Sequence, residues 1–204
     1  MIGRSETFLV STFKVGESKQ AAEILSKAYQ KIGHTITVKN YPGKRSVYYA
    51  NEGISDAELI RIKGTEVKYP NLVRIPTPIL ISKMVVLTSK DSNFTPLKWE
   101  DLAKTKIGIP LGVKLLEDRI AHLAPMRVPY SENLLRMVIL GRIEVAAMPL
   151  AMALQHTELV NQLRIVEPSI EDVELYHFVH KKHKKLIKEL SSAIKELNEI
   201  NSIN

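Results

Sequence analysis

Cysteine is absent from the 204 residues, which excludes structural disulfides, thiolate nucleophiles and any cysteine-based zinc site. No apolar run approaches the roughly 20 residues that span a bilayer as a helix. The start of the chain, Met1 to Glu6, lacks the apolar core of a signal peptide. That leaves a cytoplasmic chain or a mature segment whose export signal has been removed. The six histidines form no His-Glu-x-x-His or comparable ligand pattern. His177, His180 and His183 share a helix-like spacing, but His177 falls in an expected strand, so neither a metal nor another cofactor is expected.

At 45% hydrophobic and 25% charged residues, the composition is that of an ordinary globular chain, long enough for one large domain or two small lobes. The formal charge of +7 makes an anionic partner conceivable. The excess is concentrated, however, because His180–Lys188 alone holds five lysines. These lie on the polar side of an amphipathic helix, without interleaved aromatics or a reader motif. They are expected to be a solvated face, with no nucleic-acid partner.

The chain reads as alternating strands and helices. Thr7–Thr12 is a first strand, Ser18 caps a helix carrying Ala21, Ile24, Leu25, Ala28, Tyr29 and Ile32, and His34–Lys39 is a second strand. Strand, helix and strand with short connections point to a parallel α/β arrangement. Glu66–Asn71 is expected to be a surface loop, Leu72–Ile81 an edge or irregular strand holding Pro76 and Pro78, and Lys83–Thr88 a regular strand. Thr95 should cap a short helix with Pro96 in its first turn. Lys106–Pro110, Arg127–Tyr130, Leu163–Val166 and Val173–Val179 are further strands, and Pro149–His156 a helix. A last helix places Leu186, Ile187, Leu190, Ala193, Ile194, Leu197 and Ile200 on one side.

One pattern occurs twice. Ser46–Ile60 and Glu132–Met148 each run through an amphipathic helix, a closing glycine (Gly53, Gly141), two residues, an acid (Asp56, Glu144) and an apolar run. Two such units imply two similar lobes. The first would take residues 1–89 with 175–204 and the second 90–174, the chain crossing near 88–93 and 170–175. The last helix, without a sheet of its own, is assigned to the first lobe. Because Asp56 and Glu144 are equivalent across the repeat, they are expected to tie the turn after each helix rather than to act as a catalytic pair.

This order of parts resembles the type II solute-binding proteins of family 3, which include amino-acid receptors of ABC transporters. Four segments carry the resemblance: Gly53–Asp56 with its strand, Trp99–Gly112, Leu140–Ala147, and Leu175–Lys182 leading into the final helix. It implies an α/β, two-lobed, periplasmic-binding-protein-like (type II) clamshell, each lobe a mixed sheet flanked by helices. Such a clamshell captures a small molecule by hinge closure, with ligand groups supplied at the carboxyl ends of strands. Family members that bind amino acids hold the α-carboxylate with an arginine of the first lobe. Arg61 is the candidate here, although the family residue usually comes several positions later, where this chain has Glu66 and Lys68. A structural pairing of Arg61 with Glu58 or Asp56 is the alternative.

The resemblance also places Gly112, Val113 and Lys114 at a turn where backbone N–H groups receive an anion, without the family's threonine hydroxyl. Thr12 and Phe13, in the first strand-to-helix loop, could offer a hydroxyl and an apolar wall, with a core role for Phe13 as the alternative. Pro149 stands where the family's ammonium-binding aspartate would follow Met148, so a standard amino acid is not the expected ligand. Arg45 and Ser46 read as a helix start, and Tyr130 and Tyr176 as hinge or packing residues.

The expectation is therefore a non-enzymatic, monomeric, extracytoplasmic solute-binding protein. It would take a small polar or anionic ligand and work with an ABC permease or a membrane receptor. Two alternatives stand beside it. One is a dehydratase-like enzyme on the same fold, with Glu58 as acid or base. The other is the effector domain of a regulator, for which no helix-turn-helix segment precedes Thr7.

Overall fold

The computed structural model describes residues 5–13 and 16–201. In chain order the elements are β1 (Thr7–Thr12), α1 (Ser18–Lys31), β2 (Thr35–Asn40), α2 (Gly43–Asn51), β3 (Ala57–Ile62), α3 (Thr65–Lys68), β4 (Leu72–Arg74) and β5 (Leu80–Ser89). There follow β6 (Ile107–Pro110), α4 (Lys114–Arg119), β7 (Met126–Val128), α5 (Ser131–Ile139), β8 (Val145–Pro149), α6 (Leu150–Ala153), α7 (Thr157–Val160), β9 (Leu163–His180) and α8 (Ile187–Asn201). Short 3-10 turns lie at Trp99–Lys104, Ala121–Leu123, Leu154–His156 and Lys181–Leu186. The chain divides into two compact units, one running up to Ile81 and resuming at Glu174, the other Ser82–Val173.

In the first unit β1 lies between β2 and β3, parallel to both, while β9 runs antiparallel to β3 and pairs on β4 as well. Alternation along β1 sends Phe8 and Val10 to one face and Ser11 to the other. The Phe8 face is covered by Ala21, Ile24, Leu25, Ala28 and Tyr29 of α1 and by Leu190, Ala193 and Ile194 of α8. The C-terminal helix thus completes the first unit's core. A second cluster, Val47 and Ala50 of α2 with Leu72, Tyr176 and Phe178, builds a further layer.

In the second unit β8 lies between β5, to which it is antiparallel, and β6, to which it is parallel, and β6 also pairs parallel with β7. Both faces of this sheet are buried. Val85, Leu87, Ala146 and Met148 meet Leu134, Leu135 and Val138 of α5. The alternate residues Met84, Val86, Val145 and Ala147 meet Trp99, Leu102, Leu116 and Ile120. Near-continuous apolar strands are what two-sided burial demands.

Several local expectations are corrected. Leu163–Val166 and Val173–Val179 are parts of one 18-residue strand, β9, since extended backbone continues through the polar residues between them. The expected loop after Gly64 contains α3, with Gly64 at φ +91° before it. Ser18 does not cap α1; its hydroxyl donates to the Phe13 carbonyl at 3.0 Å, and Glu17 precedes the helix. Thr95 does not cap the turn at Trp99–Lys104, because Asp101 accepts the Leu97 and Lys98 N–H groups instead. The units divide at Ile81 and Ser82, inside β5, whose Met84–Thr88 pair with β8 of the second unit.

The repeat is reproduced bond for bond. Gly53 (φ +71°) and Gly141 (φ +65°) end α2 and the turn after α5 in the left-handed region. The residue after each glycine then donates back across the helix end, Ile54 to the Tyr49 carbonyl at 3.0 Å and Arg142 to the Met137 carbonyl at 2.9 Å.

Candidate functional site

The repeat acids hold their strands by the same two-point bracket. The Asp56 N–H donates to the Leu9 carbonyl at 2.8 Å, and its carboxylate accepts the Leu9 N–H at 2.9 Å. The Glu144 N–H donates to the Lys106 carbonyl at 3.0 Å, and its carboxylate accepts the Lys106 N–H at 3.1 Å. Asp56 does more, because Oδ1 also meets His183 Nε2 at 2.7 Å and Lys182 Nζ at 2.9 Å. Burial alone would raise the Asp56 carboxyl. The hydrogen bonds from Lys182, the Leu9 N–H and His183, with the charge of Lys182, hold it below the usual carboxylate range. Both acids are structural ties.

A different constellation forms on β3. In a regular strand, residues three apart point to opposite faces. Here the register with β9 shifts between Glu58, opposite Phe178, and Arg61, opposite Tyr176, so that β3 holds one extra residue. This bulge returns Arg61 to the face of Glu58. Glu58 is fully buried, and three donors meet its carboxylate: Ser11 Oγ at 2.8 Å, Ser46 Oγ at 2.9 Å and Arg61 Nε at 2.7 Å. Ser55 Oγ donates to Ser11 Oγ at 2.9 Å, extending the chain of hydroxyls. Burial pushes the Glu58 carboxyl up, against the opposing charge of Arg61 and the hydrogen bonds from Ser11, Ser46 and Arg61.

Arg61 is thereby fixed in one orientation. Its Nη2 donates to Ser46 Oγ at 2.6 Å and approaches the Gly43 carbonyl at 3.3 Å, and its guanidinium carbon lies 3.9 Å from the centre of the Phe13 ring. Nη1 has no hydrogen-bond partner among the described residues, and the side chain keeps 17% of its surface exposed. Phe13 and Gly43, both touched by Arg61, also line a depression of about 400 Å³ together with Asn40, Tyr41 and Pro42. Tyr41 is held edge-on by Tyr49 at 4.8 Å and by its N–H donating to the Thr12 carbonyl at 2.8 Å.

Of the residues singled out from sequence, the structure brings Phe13, Glu58 and Arg61 together. Thr12 is buried beside them with its hydroxyl donating to the Phe13 carbonyl at 3.1 Å. Phe13 is half-buried rather than fully in the core, and Arg61 pairs with Glu58, not Asp56. Glu66, one of the two residues at the family arginine's usual place, binds Arg74 at 3.2 Å, and Arg74 in turn lies 4.4 Å over Tyr176.

In the second unit, the Gly112 N–H donates to Glu117 at 2.9 Å, and Lys114 pairs with Asp118 one turn along α4. Val113 packs on the Leu116 side of the core, and Pro149 ends β8 buried opposite Met84. Tyr130 is 70% exposed, whereas Tyr176 is buried. Sequence reasoning did not assign Ser11 or Ser55 to the site and read Ser46 as a helix start, whereas it lies inside α2 and donates to Glu58. The available signal was three small hydroxyl residues at otherwise apolar positions of β1, α2 and the turn before β3.

Two α/β units that share a repeated helix-to-strand connection, with the chain crossing between them in β5 and β9 and α8 returning to the first, define the type II periplasmic-binding-protein fold. The chain has that fold. Its likeness to individual solved structures is broad but distant in sequence. A histidine kinase sensor domain described as similar to periplasmic binding proteins matches with TM-score 0.72 at 15% identity, covering 98% of this chain and 93% of that one. The arginine-bound Gly52Ala mutant of the arginine-binding protein ArgBP from T. maritima matches with TM-score 0.67 at 15% identity, covering 94% and 95%. The ancestral amino-acid-binding protein AncCDT-1, a precursor of cyclohexadienyl dehydratase, matches with TM-score 0.68 at 15% identity, covering 95% and 90%. No protein-family model and no curated protein matches the sequence.

Proposed function

We propose that this protein is a non-enzymatic solute-binding protein whose first unit anchors a small polar or anionic ligand through Arg61. The carrying observation is the arrangement of that guanidinium. It is oriented by a sealed carboxylate and a serine and laid over Phe13, and one nitrogen has no partner among the described residues. A preorganised guanidinium loses little freedom on gripping a carboxylate. The matching structures named as arginine-binding and amino-acid-binding proteins support a binding role on this fold. Glu58, the residue an enzymatic reading would use as acid or base, is fully buried with its oxygens bonded to Ser11, Ser46 and Arg61, which supports a positioning role instead. Hinge closure, an ABC-permease or membrane-receptor partner and an extracytoplasmic location belong to the same proposal. In the second unit, Gly112 and Lys114 are engaged by Glu117 and Asp118, so the reading rests on Arg61.

A thermal-shift survey of organic acids, amino acids and sugars tests this directly. A ligand present at 100 times its Kd should stabilise the protein by about 2.7 kcal/mol. A flat response across the whole survey removes the proposal.

A further inference from the structure

The depression beside Arg61 carries more information than its charge. We infer that the ligand is a ring-bearing carboxylate without a free ammonium group, its acid on Arg61 and its ring against Phe13 and Tyr41; this rests on the anion-anchoring role proposed for Arg61. The lining supports the class in several ways.

The walls are Phe13, Tyr41 and Pro42, flat and apolar surfaces that suit a ring better than a branched or highly hydroxylated chain. Two of them are held in place, Phe13 by the Arg61 guanidinium over one face of its ring and Tyr41 by the edge-on ring of Tyr49, so little ordering is left for binding to supply. The depression, about 400 Å³, is open to solvent on one side. That suits one ring and a short side arm. Finally, no lining side chain among the described residues is acidic, and Glu58 is buried and spent on Arg61 and two serines. An ammonium group brought into this depression would surrender water for no carboxylate. The Tyr41 hydroxyl and the Asn40 amide have no hydrogen-bond partners among the described residues, which leaves them free to meet a ring hydroxyl or carbonyl.

Isothermal titration of the full chain with 3-phenylpropionate, 4-hydroxyphenylacetate, L-phenylalanine, 3-phenylpropionamide and succinate separates the possibilities. The expected result is binding of the two aryl acids, with L-phenylalanine and the amide at least ten-fold weaker. Tyr41→Ala should weaken the aryl acids, as should Glu58→Gln/Arg61→Gln, a double change that keeps the site neutral and so spares the fold. The effect of the double change should be about 10- to 150-fold, the range for losing a hydrogen bond to a charged group. If succinate binds as well as the aryl acids and Tyr41→Ala changes nothing, the ring inference fails while the role of Arg61 stands. Binding of L-phenylalanine as tight as that of 3-phenylpropionate overturns the exclusion of an ammonium. If no acid binds, or the double variant binds the aryl acids unchanged, the inference falls together with the role of Arg61.

Discussion

Asp56 and Glu144 occupy the same place in the repeat, yet their loss should differ in cost. Replacing Glu144 with alanine removes one carboxylate bond to the Lys106 N–H on an exposed residue, which is worth about 1 kcal/mol. Replacing Asp56 with alanine removes the equivalent bond to the Leu9 N–H and also the contact with His183, whose side chain is only 17% exposed. Bonds to charged groups contribute about 1.5–3 kcal/mol each, and partial exposure of Asp56 discounts them. The Lys182 pair, 42% exposed on the lysine side, adds at most about 1 kcal/mol. The sum is about 3 kcal/mol for Asp56→Ala, or a fall of roughly 6–12 °C in Tm for a chain of this length, against roughly 2–4 °C for Glu144→Ala.

The pH dependence gives a second readout. Because the folded carboxyl of Asp56 is held below its unfolded value of about 3.9, its stabilisation is fully present above that pH and is lost as pH falls through the lower folded value. The gap between wild type and Asp56→Ala should therefore narrow as pH falls below about 4. Chemical denaturation across this range measures it. Equal costs at the two positions, or a gap for Asp56→Ala that persists unchanged at pH 3, would refute the account of the repeat.

Two other perturbations follow from the same cores. His177 is fully buried between the Tyr29 hydroxyl at 3.1 Å and the Leu59 carbonyl at 3.2 Å, and burial brings its pKa down to about 4. A folded value below the unfolded 6.5 means its contribution is intact above pH 6.5 and lost toward pH 4, a loss of about 3 kcal/mol. His177→Phe should flatten that part of the stability profile while costing about 1–3 kcal/mol at neutral pH through the orphaned partners; an unchanged slope in acid denaturation contradicts it. At Gly108 an added Cβ would collide with Leu134 Cδ1 and come within 2.7 Å of Ile143 Cδ1. Gly108→Ala should accordingly cost about 1–3 kcal/mol by overpacking, and wild-type stability in urea would show that the interior yields there more easily than argued.

Local patterns marked most of the elements in the sequence, because apolar periodicity and closing glycines act over a few residues. The paired acids are the clearest instance: equivalent positions in a duplicated unit pointed to a shared structural task, and both carboxylates bracket a neighbouring strand. What stayed hidden depends on pairing between distant segments. The bulge in β3 exists only against β9, and without it a strand pattern places Glu58 and Arg61 on opposite faces. Ser11, Ser46 and Glu58 meet only because β1, α2 and β3 stack in one unit. Likewise, the polar residues between Val166 and Val173 read as a break, although the backbone runs through them as a single strand. Arg61 was visible as a cation at a strand end with Glu58 or Asp56 as a possible partner, but the burial of Glu58 and its serine donors were not.

If Arg61, set by Glu58 and Ser46, anchors an anionic ligand, removing its guanidinium should be felt in affinity before anything else. The most direct measurement is titration of the tightest-binding organic acid from the thermal-shift survey into wild type, Arg61→Gln and the charge-balanced Glu58→Gln/Arg61→Gln, with circular dichroism confirming that each is folded. A loss of affinity of about 10- to 150-fold is expected in both variants. Wild-type affinity in a folded variant lacking the guanidinium would contradict it.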